Sequence, residues 1–252
     1  MRYAGWSDLD VPPPDRRIKN EPGTWVWRQH LPGGERAVVK LYRRRDALAW
    51  MRSRWTGFRV QREFLALQRL QGNALPCTEP LFWSCGRSAD HGRHEILVTR
   101  EIPQARSLRQ RIADAPAETS RIDLRALYRD TARMHRCGMF HGTLWASNVL
   151  IAPAGGPVDG HYFSDAPRSV LFDCDIRGTS MARGDLLDLS HSVGQALGLP
   201  AARLPLEAYG LDAAQRFALA ETLERYRPAK LNRSLRRGAA LLHRRRQRAP
   251  RA

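Results

Sequence analysis

Lysine is almost missing from this chain. Lys19, Lys40 and Lys230 are the only three, although Lys and Arg together number 42. Acidic residues are also scarce, 25 against those 42, and the resulting net charge of +17 sets the isoelectric point near 11.0. A field of that sign disfavours cationic ligands and attracts polyanions: nucleic acid, anionic lipid head groups or a phosphorylated glycolipid. Cysteine is sparse. Cys77, Cys85, Cys137 and Cys174 stand singly, with no C-x-x-C pair and no metal-ligand spacing. That argues against a disulfide scaffold or a zinc site and suits free thiols in a reducing compartment. No apolar run approaches the roughly 18 residues of a membrane span, and residues 1–8 lack the apolar core of a signal peptide. The expectation is a protein of the cytoplasm, or one peripheral on the cytoplasmic face of a membrane.

What is present reads as strands first and helices later, in a chain of 252 residues, long enough for one domain or two small lobes. Residues 1–23, rich in Pro and charge, are expected to form a loosely ordered lead-in. The aromatic and β-branched content of residues 24–30 predicts a strand. Pro32, Gly33 and Gly34 predict a turn, and residues 36–42 the returning strand of a hairpin. A helix is predicted over 46–71, with Phe58, Phe64, Leu65, Leu67 and Leu70 as its apolar stripe. Strands over 79–83 and 95–99 follow, and residues 100–103 read as a crossing segment. Ser107 can cap a short helix, and a longer one over 122–137 stops at Gly138. Residues 152–164 read as a loop. Three further helices are predicted over 185–197, 212–226 and 229–246.

The chemistry gathers around residues 139–151. His141 opens a polar turn that closes on Asn148 and runs straight into Val149, Leu150 and Ile151. Some twenty residues later an apolar strand delivers Asp173 and Asp175. Phosphoryl transfer of the protein-kinase type needs this order: an H-x-D-x-x-x-x-N loop, then an Asp at a strand end. The Asn and that Asp hold the magnesium ions that neutralise charge on the transferring phosphate, so Asn148 and Asp173 are the expected metal ligands. Lys40 ends the apolar part of a strand in a chain that otherwise uses Arg. A compact ammonium reaches a phosphate where a guanidinium is bulkier, which makes Lys40 the expected ATP-phosphate lysine and Glu63 the helix carboxylate that fixes it. No G-x-G-x-x-G occurs; Gly23 lies where the phosphate-covering turn would fall. At the position of the catalytic Asp stands Thr143, whose hydroxyl is no general base near neutral pH. Asp175 and Asp165 are the carboxylates that can substitute for it.

Together these features specify an α+β, protein-kinase-like two-lobed fold, with a small β-rich N-lobe over residues 24–101 and a helical C-lobe over 102–228. The segment after Asp175 is too short for the regulatory loop of eukaryotic protein kinases, which favours a small-molecule or glycolipid kinase. Over roughly residues 24 to 200 the sequence resembles the bacterial lipopolysaccharide kinase family, the Kdo (3-deoxy-D-manno-octulosonic acid) and core heptose kinases. The likeness lies in residues 38–43, 62–67, 102–108 and 141–148, in Phe172-Asp173-Cys174-Asp175 and in residues 184–192. The resemblance implies ATP- and Mg²⁺-dependent phosphorylation of a sugar hydroxyl in the lipopolysaccharide inner core, at the cytoplasmic face of the inner membrane. Kdo-lipid A, or another anionic glycolipid, is then the expected partner of the basic surface. Thr143 leaves a second reading open, a nucleotide-binding pseudokinase of the same fold. Residues 229–252 form a basic end. From Arg225 onward there are eleven Lys or Arg and no acidic residue, and Leu231, Leu235, Leu241 and Leu242 add an apolar component. Such a segment suits an anionic membrane surface. No nucleic-acid module is recognisable, so no nucleic-acid partner is expected.

Overall fold

A computed structural model describes residues 11–44, 46–88, 91–114, 122–153 and 160–248. The chain divides into two compact units. The first runs to Gln68 and includes Thr78–Ile102; the second holds Arg69–Cys77 and everything from Pro103 on. Of the expected lead-in, residues 1–10 lie outside the described residues.

The first unit is an antiparallel sheet of five strands: β1 (Lys19–Glu21), β2 (Thr24–His30), β3 (Arg36–Arg44), β4 (Pro80–Ser88) and β5 (Gly92–Arg100). Their order is β1-β2-β3-β5-β4. The predicted hairpin is there, closed by Leu31 N–H donating to Glu35 O at 2.8 Å. β1 corrects the expectation of a loose lead-in, because Lys19–Glu21 pair with β2 around the turn at Gly23. Side chains alternate across the sheet. Ala37, Val39 and Leu41 bury one face with Trp27, Ile96 and Val98. On the other face Tyr42 and Leu97 pack against Val60 of a helix, with Phe58, Phe64 and Trp83 around them.

That helix is where the structure departs furthest from the expected single element. Gly57 takes φ +80°, a backbone that ends a helix. The stretch is therefore two helices, α1 (Ala47–Thr56), capped by the Asp46 side chain, and α2 (Arg59–Gly72). The buried stripe of α2 is Val60, Glu63, Leu67 and Leu70, whereas Leu65 points outward and is 44% exposed.

The second unit is mostly helical. It contains β6 (Arg106–Ser107), α3 (Leu108–Asp114), α4 (Leu124–Arg136), β7 (Met139–Phe140), β8 (Val149–Ala152), β9 (Gly160–Phe163) and β10 (Val170–Leu171). It ends in α5 (Ser180–Leu197), α6 (Ala213–Glu224) and α7 (Lys230–Arg248). Ser107 caps α3 as expected, its hydroxyl accepting from Gln110 N–H. α5 starts earlier than the apolar pattern suggested, because the Thr179 side chain caps it. The stretch over 152–164 is not wholly loop: β9 pairs antiparallel with β8, and β6 flanks β8 on its other side. β7 and β10 form a small sheet of their own. Phe140, Val170, Phe172, Met181 and Ala240 share one core cluster beside it.

Candidate active site

In the first unit, strand alternation turns Lys40 away from the Val39 and Leu41 face and toward α2. Its Nζ meets Glu63 Oε1 at 2.6 Å, with Glu63 fully buried and the Lys40 side chain 15% exposed. A pair taken this far out of water holds only with close geometry, and removing one partner typically costs about 3–5 kcal/mol. Gly23 sits in the β1–β2 turn at φ +83°, its carbonyl accepting from Arg43 N–H. The two-residue turn offers a short backbone lip and no extended glycine loop.

In the second unit, α4 ends at Arg136, and Gly138 at φ +80° turns the chain into β7. Only glycine fits there, since a Cβ would run into the carbonyl oxygens of Phe172 and Cys174. β7 pairs with β10, Val170 opposite Phe140 and Leu171 opposite Met139, and Phe172 N–H donates to Gly138 O. Because the pair is antiparallel, His141 leaves it at the end beside Ser169 and Asp173 at the end beside Gly138. Asp185, from the buried side of α5, accepts the His141 N–H at 2.7 Å and the Gly142 N–H at 2.9 Å. His135 Nε2 lies 3.4 Å from the same carboxylate, and His135 Nδ1 is 2.6 Å from Tyr209 Oη.

The rest of the loop is bound by the segment 164–169. Ser164 O accepts from His141 Nε2, which leaves the proton on that nitrogen. Burial holds the His141 ring in its neutral form, against the pull of the Asp185 and Asp165 carboxylates. Thr143 Oγ1 donates to Asp165 O at 3.2 Å. Ser164 donates to Asn148 O through both its N–H and its hydroxyl. Gly142 adopts φ +77°, and a Cβ there would stand 2.8 Å from Arg168 O. Asn148 Nδ2 donates to Thr143 O at 2.7 Å, so its amide oxygen faces the other way, accepting from Ser147 Oγ.

Asp173 is 75% exposed, with Arg69 3.9 Å away. Asp175 is differently placed: Arg177 clamps it through both Nε and Nη2 and holds its carboxyl below the usual range. Tied in this way, Asp175 is a poor substitute base. The oxygens of Asn148 and Asp173 are the hard donors that magnesium takes, one or two protein oxygens with phosphate and water completing the shell. The residues fit the ion. Among the described residues no group of three or more His, Cys, Asp or Glu is arranged to hold a metal ion.

Two features escaped the sequence reading. Asp185 and Asp188, three apart in an apolar helix, were the available signal for the first, since a buried acid needs partners. For the second, the segment 164–169, no local pattern pointed to its role.

The sheet-then-helix architecture and the loop define a protein-kinase-like fold. The profile of the lipopolysaccharide kinase (Kdo/WaaP) family matches residues 16–179, well over half of the chain. The chain belongs to that family, and a family of this kind uses ATP. Among solved structures, a WaaP in complex with acyl carrier protein is similar over 92% of this chain and 86% of its own. The identity is 20% and the TM-score 0.51, a likeness of fold. No protein of curated function matches the chain.

Proposed function

We propose that this protein is an ATP-dependent kinase that phosphorylates a sugar hydroxyl, Kdo or heptose, of the lipopolysaccharide inner core. The observation that carries the reading is the loop itself: His141, Asn148 and Asp173 keep their kinase order, and Asn148 braces the backbone at Thr143. Lys40, fixed by Glu63, would hold ATP phosphate, with Gly23 in the covering turn. Asn148 and Asp173 would hold Mg²⁺, which when bound neutralises charge on the transferring phosphoryl group. The chain's own work is to orient: Asp185 and Ser164 lock the loop, so that little reorganisation remains when the substrates arrive. Positioning and electrostatics carry most of phosphoryl transfer, which favours a kinase over a pseudokinase despite Thr143.

α7 supports a place at the cytoplasmic face of the inner membrane. Its Leu231, Leu235 and Leu242 are 60–67% exposed along one face, beside Lys230, Arg245 and Arg246. The acceptor and the surface are then both anionic, which gives the +17 charge a use.

Titration calorimetry with Mg²⁺ and a non-hydrolysable ATP analogue tests the nucleotide half. Asp173→Ala should abolish the magnesium-dependent part of the affinity in a protein of unchanged melting temperature. Unchanged affinity would remove Asp173 from the metal site. Mass spectrometry of Kdo-lipid A and of a heptose-extended core, incubated with ATP, tests the acceptor half through the added phosphate.

A further inference from the structure

The His141–Asn148 loop turns about the Thr143 carbonyl, which accepts from the Trp145 N–H at 3.0 Å and from Asn148 Nδ2 at 2.7 Å. Leu144 is fully buried, and the half-buried Trp145 side chain comes out on the side of α5 and α7. There its ring meets the His191 ring edge-on at 6.4 Å, and His191 meets the Tyr226 ring at 5.4 Å. The Arg233 guanidinium lies over the Trp145 ring, 5.0 Å from its centre. A cation of α7 is thus one side chain away from the turn that carries Thr143 and Asn148. All of these residues belong to the second unit.

Arg236, three residues further along α7, is held by Asp188 at 2.7 Å. Arg233 pairs with no carboxylate among the described residues, and the contact of its guanidinium is the indole face. An aromatic face attracts a guanidinium without giving its N–H groups an acceptor atom. The donor fork therefore stays available to a planar anion, a carboxylate or a phosphate, which it binds through two parallel hydrogen bonds. Burial lowers the His191 pKa and the Arg227 charge pushes it the same way, so that ring adds no charge near pH 7.

We infer that Arg233, seated on Trp145, binds the anionic group of the acceptor, the carboxylate or phosphate nearest the hydroxyl to be phosphorylated. The inference rests on the kinase reading above and deepens it, because it names what selects the acceptor. A neutral sugar gives the fork no charge to meet, whereas an acidic or phosphorylated core sugar does. The two sides of α7 then have different ligands. Leu231, Leu235 and Leu242 are exposed toward the surface, while Arg233 faces the loop.

The test compares Arg233→Gln with wild type, both as the full chain, on a soluble acceptor. That acceptor is the de-acylated saccharide of Kdo-lipid A, or of the heptose-extended core if that is the one phosphorylated. It is used in three forms: untreated, with its carboxyls methyl-esterified, and with its phosphates removed. We expect Arg233→Gln to lower kcat/KM for the untreated form by about 10- to 100-fold, the range for lost hydrogen bonds to a charged group. The KM for ATP should not change. Wild type should fall to the level of the variant on one of the two neutralised forms, where the substitution has no further effect. Convergence on the ester assigns the carboxylate, and convergence on the dephosphorylated form assigns the phosphate. A structural role would lower turnover on all three forms alike. That result, or an unaltered kcat/KM, overturns the inference and leaves the kinase reading standing. A loss seen with vesicle-borne acceptor but not with the soluble one places Arg233 on the lipid surface and overturns the inference too. Wild-type protein that binds Mg·ATP yet phosphorylates neither acceptor overturns both readings.

Discussion

Asp185 shows how much one buried acid organises. With no solvent access, it accepts two backbone N–H groups of the His141–Asn148 loop and lies beside His135. Hydrogen bonds to a charged group contribute about 1.5–3 kcal/mol each, and here they determine the direction of the chain at His141. His141 carries a pH consequence. Burial depresses its pKa below the ordinary value of about 6.5, so it is neutral when folded, whereas the unfolded chain takes up a proton on acidification. The unfolded state then binds more protons, and stability falls as pH drops below about 6.5. The slope approaches about 1.4 kcal/mol per pH unit for one such group. Urea denaturation at pH 7.5 and 5.5 should show the loss. His141→Asn should flatten that slope while lowering stability at both pH values.

Among the elements, α7 is turned inside out relative to an ordinary surface helix. Its inward stripe is Arg233, Arg236, Arg237, Ala240, Leu241 and Arg244, while three leucines face outward. The inward arginines have specific work. Arg236 pairs with buried Asp188 at 2.7 Å, and Tyr226 Oη donates to the other oxygen of that carboxylate. The Arg233 guanidinium lies 5.0 Å from the centre of the ring of Trp145, a residue of the His141–Asn148 loop. Gly184 makes room for Arg236, whose atoms would stand 2.6 Å from a Cβ there. Burial pushes the Asp188 carboxyl upward, and Arg236 and Tyr226 pull it back toward ionisation. Arg236→Met would leave that acid without its cation. The expected cost is about 3–5 kcal/mol, read as a lower denaturation midpoint, with a smaller cost for the double change that adds Asp188→Leu.

For the whole molecule, the excess of 42 basic over 25 acidic residues acts at a distance, and its pull on an anionic surface is screened by salt. Binding to vesicles containing anionic lipid should weaken as salt rises from 0.05 to about 0.5 M. Substituting Leu231, Leu235 and Leu242 together by Ser should reduce it further, by about tenfold or more, with the fold unchanged. These point changes are the right instrument. Deleting α7 would strip Ala240 from the core that contains Phe140 and Phe172, and a loss of binding would then report a damaged fold. Equal binding by the triple variant would take the membrane off the α7 surface. No helix among the described residues is long and apolar enough to cross a bilayer.

The order of elements, the hairpin, the Lys40–Glu63 pair and the His141–Asn148 loop were legible in the sequence, because each rests on a local period or a short spacing of chemically distinctive residues. Gly57 was visible too, yet the apolar spacing on both sides hid the break it makes between α1 and α2. β1 went unread because three polar residues carry no alternation; pairing with β2 makes them a strand. The contacts of Asp185 and Arg236 were beyond any local reading. Each acts on residues more than forty positions away, and only close packing sets which acid meets a backbone N–H and which is paired with an arginine. Sequence determined the kind of chemistry, since it follows from which side chains exist and in what order. Tertiary structure decided which carboxylates are held by backbone N–H groups and which by arginine, since that depends on contacts made across the chain.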